Sequence, residues 1–165
     1  LLSENRFALF GTRSRMPPLV LDEFLPYRIV VLGDRLSRSL ACAYADEGIT
    51  IPEWRVLAVV SQRARMAARD VTARTPMDKM AVSRAIASLE DKGFITRSED
   101  ESDGRVFVRA LSPKGREAFG RIARRAIAFE RRLMDRLSKD EQRSFRAMLD
   151  RLDRFGDQSG ESSAV

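Results

Sequence analysis

Gly93 sits where one periodicity gives way to another, and that change limits the folds open to this chain. Before it, Met80, Val82, Ile86 and Leu89 supply a short apolar face at helical spacing, a core-facing set. Lys79, Ser83 and Arg84 fall on the polar, cationic side. Gly93 stops the helix, because only glycine enters the left-handed C-terminal conformation without a side-chain clash. After it, residues 94–97 read as one strand and 106–111 as its partner. The polar loop 98–105 joins them, with Gly104 near its end.

A helix with exposed donors followed by a charged ribbon is the layout of a winged helix-turn-helix. On these residues alone, a solvated amphipathic helix and an ordinary surface hairpin remain open. Charge does not separate the two readings. From Thr72 to Arg109 there are seven cations (Arg74, Lys79, Arg84, Lys92, Arg97, Arg105, Arg109) and seven acids (Asp78, Glu90, Asp91, Glu99, Asp100, Glu101, Asp103). Any attraction of this segment for DNA therefore comes from placement rather than from bulk charge.

The whole chain carries 30 Lys and Arg against 24 Asp and Glu, a formal charge of +6, which favours a polyanionic partner without requiring one. Histidine is absent and Cys42 is the single cysteine. That removes most zinc chemistry and all histidine-based catalysis, and no glycine-rich phosphate loop is present. A carboxylate-only active site stays open; otherwise the expectation is a protein that is not an enzyme and uses no cofactor or metal. One cysteine, no export-type apolar segment in residues 1–18 and no bilayer-length apolar run point to a cytoplasmic protein without a membrane partner.

The flanking segments read as helices. Asp22 to Ala45 carries Ile29, Leu32, Leu36, Leu40 and Ala43 at spacings of three and four, which predicts a buried stripe. Thr50-Ile51-Pro52-Glu53 opens a second helix with a cap, a proline and an acid. In that helix Trp54 reads as a core anchor or a ligand platform. Ala67 to Thr75 is a short helix, and residues 74–78 form the turn before the cationic helix. Ser112-Pro113 starts a long helix with Phe119, Ile122, Ala126, Phe129, Leu133 and Leu137 in register. Ser138 to Glu141 matches a capping box ahead of a last helix with Phe145, Met148, Leu149, Leu152 and Phe155. This is more apolar surface than a small lobe covers, which predicts a helical dimer interface. Residues 1–18 read as an arm, and 156–165 as a disordered polar tail.

From Ile51 to Phe119 the chain resembles the MarR family of bacterial transcriptional regulators. The residues that carry the likeness are Val82-Ser83-Arg84, 89–95 (LEDKGFI), Asp103-Gly104-Arg105 and 111–116 (LSPKGR). The resemblance implies a mainly α protein with a small β-ribbon wing. A winged helix-turn-helix lobe would span 49–111, and a helical dimerisation region 1–48 and 112–155. Lys79, Ser83 and Arg84 would face the major groove, with Arg74 from the preceding turn as a further DNA contact; Met80 reads as a core residue, with contact to a thymine methyl as the other reading. Arg105 would enter the minor groove, and Asp103 would fix the wing by pairing with an arginine. The partners implied are double-stranded DNA, a second copy of the chain, and a small anionic or aromatic effector. Aromatic acids and acyl-coenzyme A thioesters both suit an arginine-rich site, for which Arg28, Arg35, Arg38, Trp54 and Arg124 are the candidates.

The function expected is a repressor released from a palindromic operator by such a ligand. A winged-helix protein-interaction module is the alternative from another class. A cysteine-based redox sensor is a further one, although Cys42, near the end of its helix, reads as a buried structural thiol.

Overall fold

A computed structural model describes residues 19–100 and 105–161, with the backbone alone from 155 onward. Its element order is α1 (Leu25–Ala43), a 3-10 turn (Ala45–Glu47), α2 (Ile51–Val60), β1 (Met66–Ala67), α3 (Ala68–Ala73), α4 (Lys79–Asp91), β2 (Ile95–Glu99), β3 (Phe107–Leu111), α5 (Pro113–Met134) and α6 (Lys139–Glu161). The three strands form one antiparallel sheet in the order β1-β3-β2, with Met66 opposite Arg109 and Arg97 opposite the same Arg109. The two-residue β1 has no legible period and escapes sequence reading. It ties the loop after α2 to the middle strand of the ribbon. The arm at 1–18 and Asp103 lie outside the described residues. Among those described, no helix is long and apolar enough to cross a membrane.

Local chemistry explains where each helix begins. Thr50 and Glu53 cap α2 reciprocally: Thr50 Oγ1 accepts from the Glu53 amide, and Glu53 Oε2 accepts from the Thr50 amide at 2.7 Å. Asp78 accepts from the Ala81 amide at 2.7 Å to open α4, and Ser112 from that of Gly115 at 2.9 Å to open α5. Ser138 and Glu141 form the same reciprocal box ahead of α6. At the other end of α4, Gly93 adopts φ +72°. There the Phe94 amide donates to Leu89 and the Gly93 amide to Glu90, the 6→1 and 5→2 bonds of a Schellman motif.

The chain divides into two compact units between Leu36 and Ser37. The second unit holds the core. Val56, Leu57, Val60, Val71, Leu89, Ala118 and Ile122 are fully buried, together with Tyr44, Val82, Ile86 and Phe94. The end of α1 and the first three turns of α5 thus belong to the lobe. Trp54 stacks on Phe119 (centroids 5.8 Å, 20°) and tilts against Tyr44 (5.7 Å), which makes it a packing residue.

Several expectations are corrected. Helix α1 starts at Leu25 rather than Asp22, and its Ile29 and Leu32 are 46% and 50% exposed instead of lying in a buried stripe. Within the second unit, Leu40, Ala41 and Tyr44 face the core, so Cys42 points off that face and is exposed, not a buried thiol. Helix α6 continues through Gly156 to Glu161, where a disordered tail was expected. A helical glycine costs about 1 kcal/mol relative to alanine, too little to end a helix with no proline nearby.

Candidate nucleic-acid interface

The reader face is built on α4. Val82, Ala85, Ile86 and Leu89 are buried, and this leaves Lys79, Met80, Ser83, Arg84 and Ala87 on the exposed side. Met80 is the exception to the apolar face read from the sequence. It is 66% exposed and has no place in the core, because its position on the helix turns away from Val82 and Ile86. Lys79 and Ser83 line a cleft of about 360 Å³ with Arg69 and Thr72 of α3 and Arg109 of β3. Arg84 lines a second groove, against the cap residue Thr50 and Pro52 of α2. Arg74 is exposed at the end of α3, and Arg105 is exposed where the ribbon returns.

Two tertiary braces hold this face. Glu90 of α4 accepts from Arg109 Nε at 3.2 Å, and the same arginine donates to the Phe107 carbonyl at 3.0 Å, which ties the reader helix to the ribbon. On the ribbon itself the Arg97 guanidinium lies 3.5 Å from the centroid of the Phe107 ring. Sequence reading missed Arg69, Thr72, Glu90 and Arg109 as a group. Their meeting depends on packing α3, α4 and β3, and no local spacing signals it.

The second brace anchors α4 from behind. Glu53, only 4% exposed, accepts from Lys92 Nζ at 2.8 and 2.9 Å and from Ser88 Oγ at 2.5 Å. Lys92 also donates to the Gly48 carbonyl at 2.9 Å. Burial by itself pushes the Glu53 carboxyl up; the hydrogen bonds from Lys92, Ser88 and Thr50 outweigh it and hold the carboxyl down at about 2. A buried carboxylate needs such partners, since an unpaired one would be costly.

The candidate effector residues fall in both units. Arg28 and Arg35 line a groove of about 450 Å³ in the first unit with Asp22, Tyr27 and Leu32. Arg38 and Arg124 are exposed in the second unit, where Trp54 serves packing. Four of the seven cations on α5 are already engaged. Lys114 and Arg116 donate to the carbonyls of Lys92 and Leu111. Arg121 holds Glu47 at 2.8 Å and Arg125 holds Asp46, and these hydrogen bonds keep both carboxyls below their usual range. Among the described residues no group of three or more His, Cys, Asp and Glu could hold a metal ion.

Known proteins share this arrangement. Residues 47–106, which include α2 to β2 and reach the wing, match the MarR family model. The chain is 28% identical over 131 residues to the HTH-type transcriptional repressor Rv2887 of Mycobacterium tuberculosis, covering 79% of this chain and 94% of that one. A MarR/EmrR family transcriptional regulator from Acinetobacter sp. ADP1 superposes with a TM-score of 0.76 at 26% identity, over 85% of this chain and 99% of that one. A mutant MarR from E. coli complexed with operator DNA superposes with a TM-score of 0.71 over 78% of this chain and 92% of that one. At 19% identity this last likeness speaks for the fold alone. With the winged lobe, its exposed cationic helix and these relatives together, residues 47–106 form a MarR-type module, and the chain is similar to regulators of the MarR family, whose members are transcriptional regulators and not enzymes.

Proposed function

We propose that this protein is a sequence-specific, homodimeric repressor that leaves a palindromic operator when a small anion binds. The observation that carries the DNA reading is the exposed stripe of α4, rimmed by Lys79, Ser83 and Arg84 on a lobe whose remaining apolar side chains are largely buried. In this reading Lys79 and Arg74 neutralise phosphate, Ser83 bonds a base edge or phosphate, and Arg84 reads guanine bidentately. Arg105 enters the minor groove, where narrow A·T-rich sequence deepens the negative potential. Asp103 steadies the wing. Chromosomal DNA as partner implies work in the bacterial cytoplasm.

The dimer reading rests on apolar side chains that the single chain leaves in water. Val30 on α1 is 69% exposed and Ile127 on α5 58%, and Met148, Leu149 and Leu152 on α6 are 46–57% exposed. Each Leu buried by a second copy contributes roughly 1.5–3 kcal/mol. The ligand's anion would be met by arginine, and the candidates are Arg28 and Arg35 in the first unit or Arg38 and Arg124 in the second. An aromatic acid or an acyl-coenzyme A thioester fits, provided it binds the DNA-incompetent state more tightly than the DNA-bound one.

Mobility-shift titrations on the DNA upstream of its own gene, over a salt series, test the proposal. Arg105→Ala is expected to lower the salt slope by about two units, one per subunit. Arg84→Ala is expected to flatten the preference among operator variants, since a bidentate base contact carries roughly 1–3 kcal/mol of discrimination. Wild-type salt dependence in Arg105→Ala would remove the wing assignment. Aromatic carboxylates and acyl-coenzyme A thioesters added to the complex should release the DNA, and failure of both classes would refute the ligand.

A further inference from the structure

The exposed stripe of α4 has an apolar centre. At about 100° per residue, Met80 and Ala87 stand at its middle, Lys79 and Ser83 on one edge and Arg84 on the other. The two grooves agree with this placement: Lys79 and Ser83 line the cleft toward α3 and β3, and Arg84 lines the groove toward α2. Met80 is by far the most exposed large apolar side chain between residues 49 and 111. Phe107, at 37%, already has the Arg97 guanidinium over its ring. Every other large apolar residue of α4 is buried. A helix that hides Val82, Ile86 and Leu89 yet holds a methionine in water one residue from its N-terminus leaves a contact unmade.

We propose that Met80 is a specificity residue that reads the C5-methyl group of one thymine in each half-site of the operator. This rests on the DNA-binding reading above and deepens it. The thymine methyl is the apolar feature of the major-groove edge, so an apolar side chain at the centre of a polar face has one partner there. Methionine suits the contact because its unbranched, polarisable chain adapts to the position of the methyl. The surroundings favour a polyanion over a protein as the occupant. Lys79, Arg84 and Arg74 are exposed nearby, and the N-cap acid Asp78 is occupied by the Ala81 amide. The apolar area is two side chains wide, far smaller than the patches that mark protein interfaces.

Substitution of deoxyuridine for thymine removes the methyl and nothing else. Wild-type protein and the Met80→Ala and Met80→Leu variants are titrated against the operator and against versions carrying deoxyuridine at each thymine position of both half-sites in turn. For wild type, one position is expected to weaken binding about 4-fold per half-site and about 15-fold for both, the value of one methyl-sized group per site. Met80→Ala is expected to bind the thymine and uracil operators equally, and Met80→Leu to keep part of the difference. The inference is overturned if wild type binds the operator with no methyl-sensitive position, or if the sensitivity survives undiminished in Met80→Ala. A wild-type protein that binds no operator DNA at all refutes the DNA-binding reading itself, a separate result. Because Met80 is exposed, circular dichroism of both variants should match wild type, and the wild-type deoxyuridine series decides the question without them.

Discussion

The lobe around α4 and the helix α6 treat the same kinds of residue in opposite ways. In the lobe, Val56, Leu57, Val60, Val71, Leu89 and Ile122 are withdrawn from water completely, and a buried carboxylate is matched by three donors from Lys92, Ser88 and Thr50. In α6 the described apolar residues, Phe145, Met148, Leu149 and Leu152, stay 41–57% exposed, and its ties to α5 are polar: Gln142 to the Met134 carbonyl and Arg146 to Glu130. One region completes its core from its own chain; the other has an amphipathic face and no interior. The difference separates two meanings of a hydrophobic stripe, since periodicity reports that a face will be covered and not by what.

The largest expected effect probes how tightly the lobe is closed. A Cβ on Gly115 would press into the Phe94 peptide, with the carbonyl carbon 2.8 Å away, where α5 crosses the end of α4. Gly115→Ala should therefore cost at least about 3 kcal/mol in chemical denaturation. Gly120, one and a half turns on, has only the flexible Arg124 guanidinium within 4 Å. Gly120→Ala should be neutral or stabilising by up to about 1 kcal/mol. Equal effects at the two glycines would mean that the lobe is looser than the contact implies.

Next in size is the buried carboxylate. The folded Glu53 carboxyl is held at about 2 against an ordinary 4.5. A depressed folded value means that the contribution is fully present above the unfolded value and is lost as pH falls from about 4.5 to about 2. It amounts to about 3 kcal/mol. Stability measured against pH should drop through that window in wild type and drop less in Glu53→Gln. Parallel curves for the two proteins would remove the brace between α2 and α4 from the account of acid stability.

The smallest effect tests the open region. Leu149→Asp and Leu152→Asp should leave the unfolding of the lobe nearly unchanged while converting the dimer to monomer in sedimentation, at roughly 2 kcal/mol per leucine per subunit. Wild type that sediments as a monomer at micromolar concentration would break the comparison, because the exposed face would then have no cover from a second copy.

Much of the lobe was legible because its signals are local. Thr50 to Glu53, Gly93, Ser112-Pro113 and Ser138 to Glu141 place helix boundaries through bonds that reach only a few residues. What the LEDKGFI and LSPKGR segments do was not legible from spacing. Lys92 reaches 39 residues back to Glu53, Ser112 Oγ donates to the Gly93 carbonyl, and Lys114 donates to Lys92 and lies over the Phe94 ring. The two motifs hold each other.

The candidate site divides in the same way. Residue type and helical spacing were enough to put Lys79, Ser83 and Arg84 on a polar face, since the 3.6-residue period is a property of the backbone itself. The same period places Met80 opposite Val82 and Leu89, in the middle of the polar stripe, and packing α4 through Val82, Ile86 and Leu89 leaves it in water. The pairing of Arg109 with Glu90 and the exposure of Cys42 depended instead on which neighbours each helix met. Local bonds and periodicity are written in the order of the residues; the choice of which face is buried, and against what, is made only when separate elements pack.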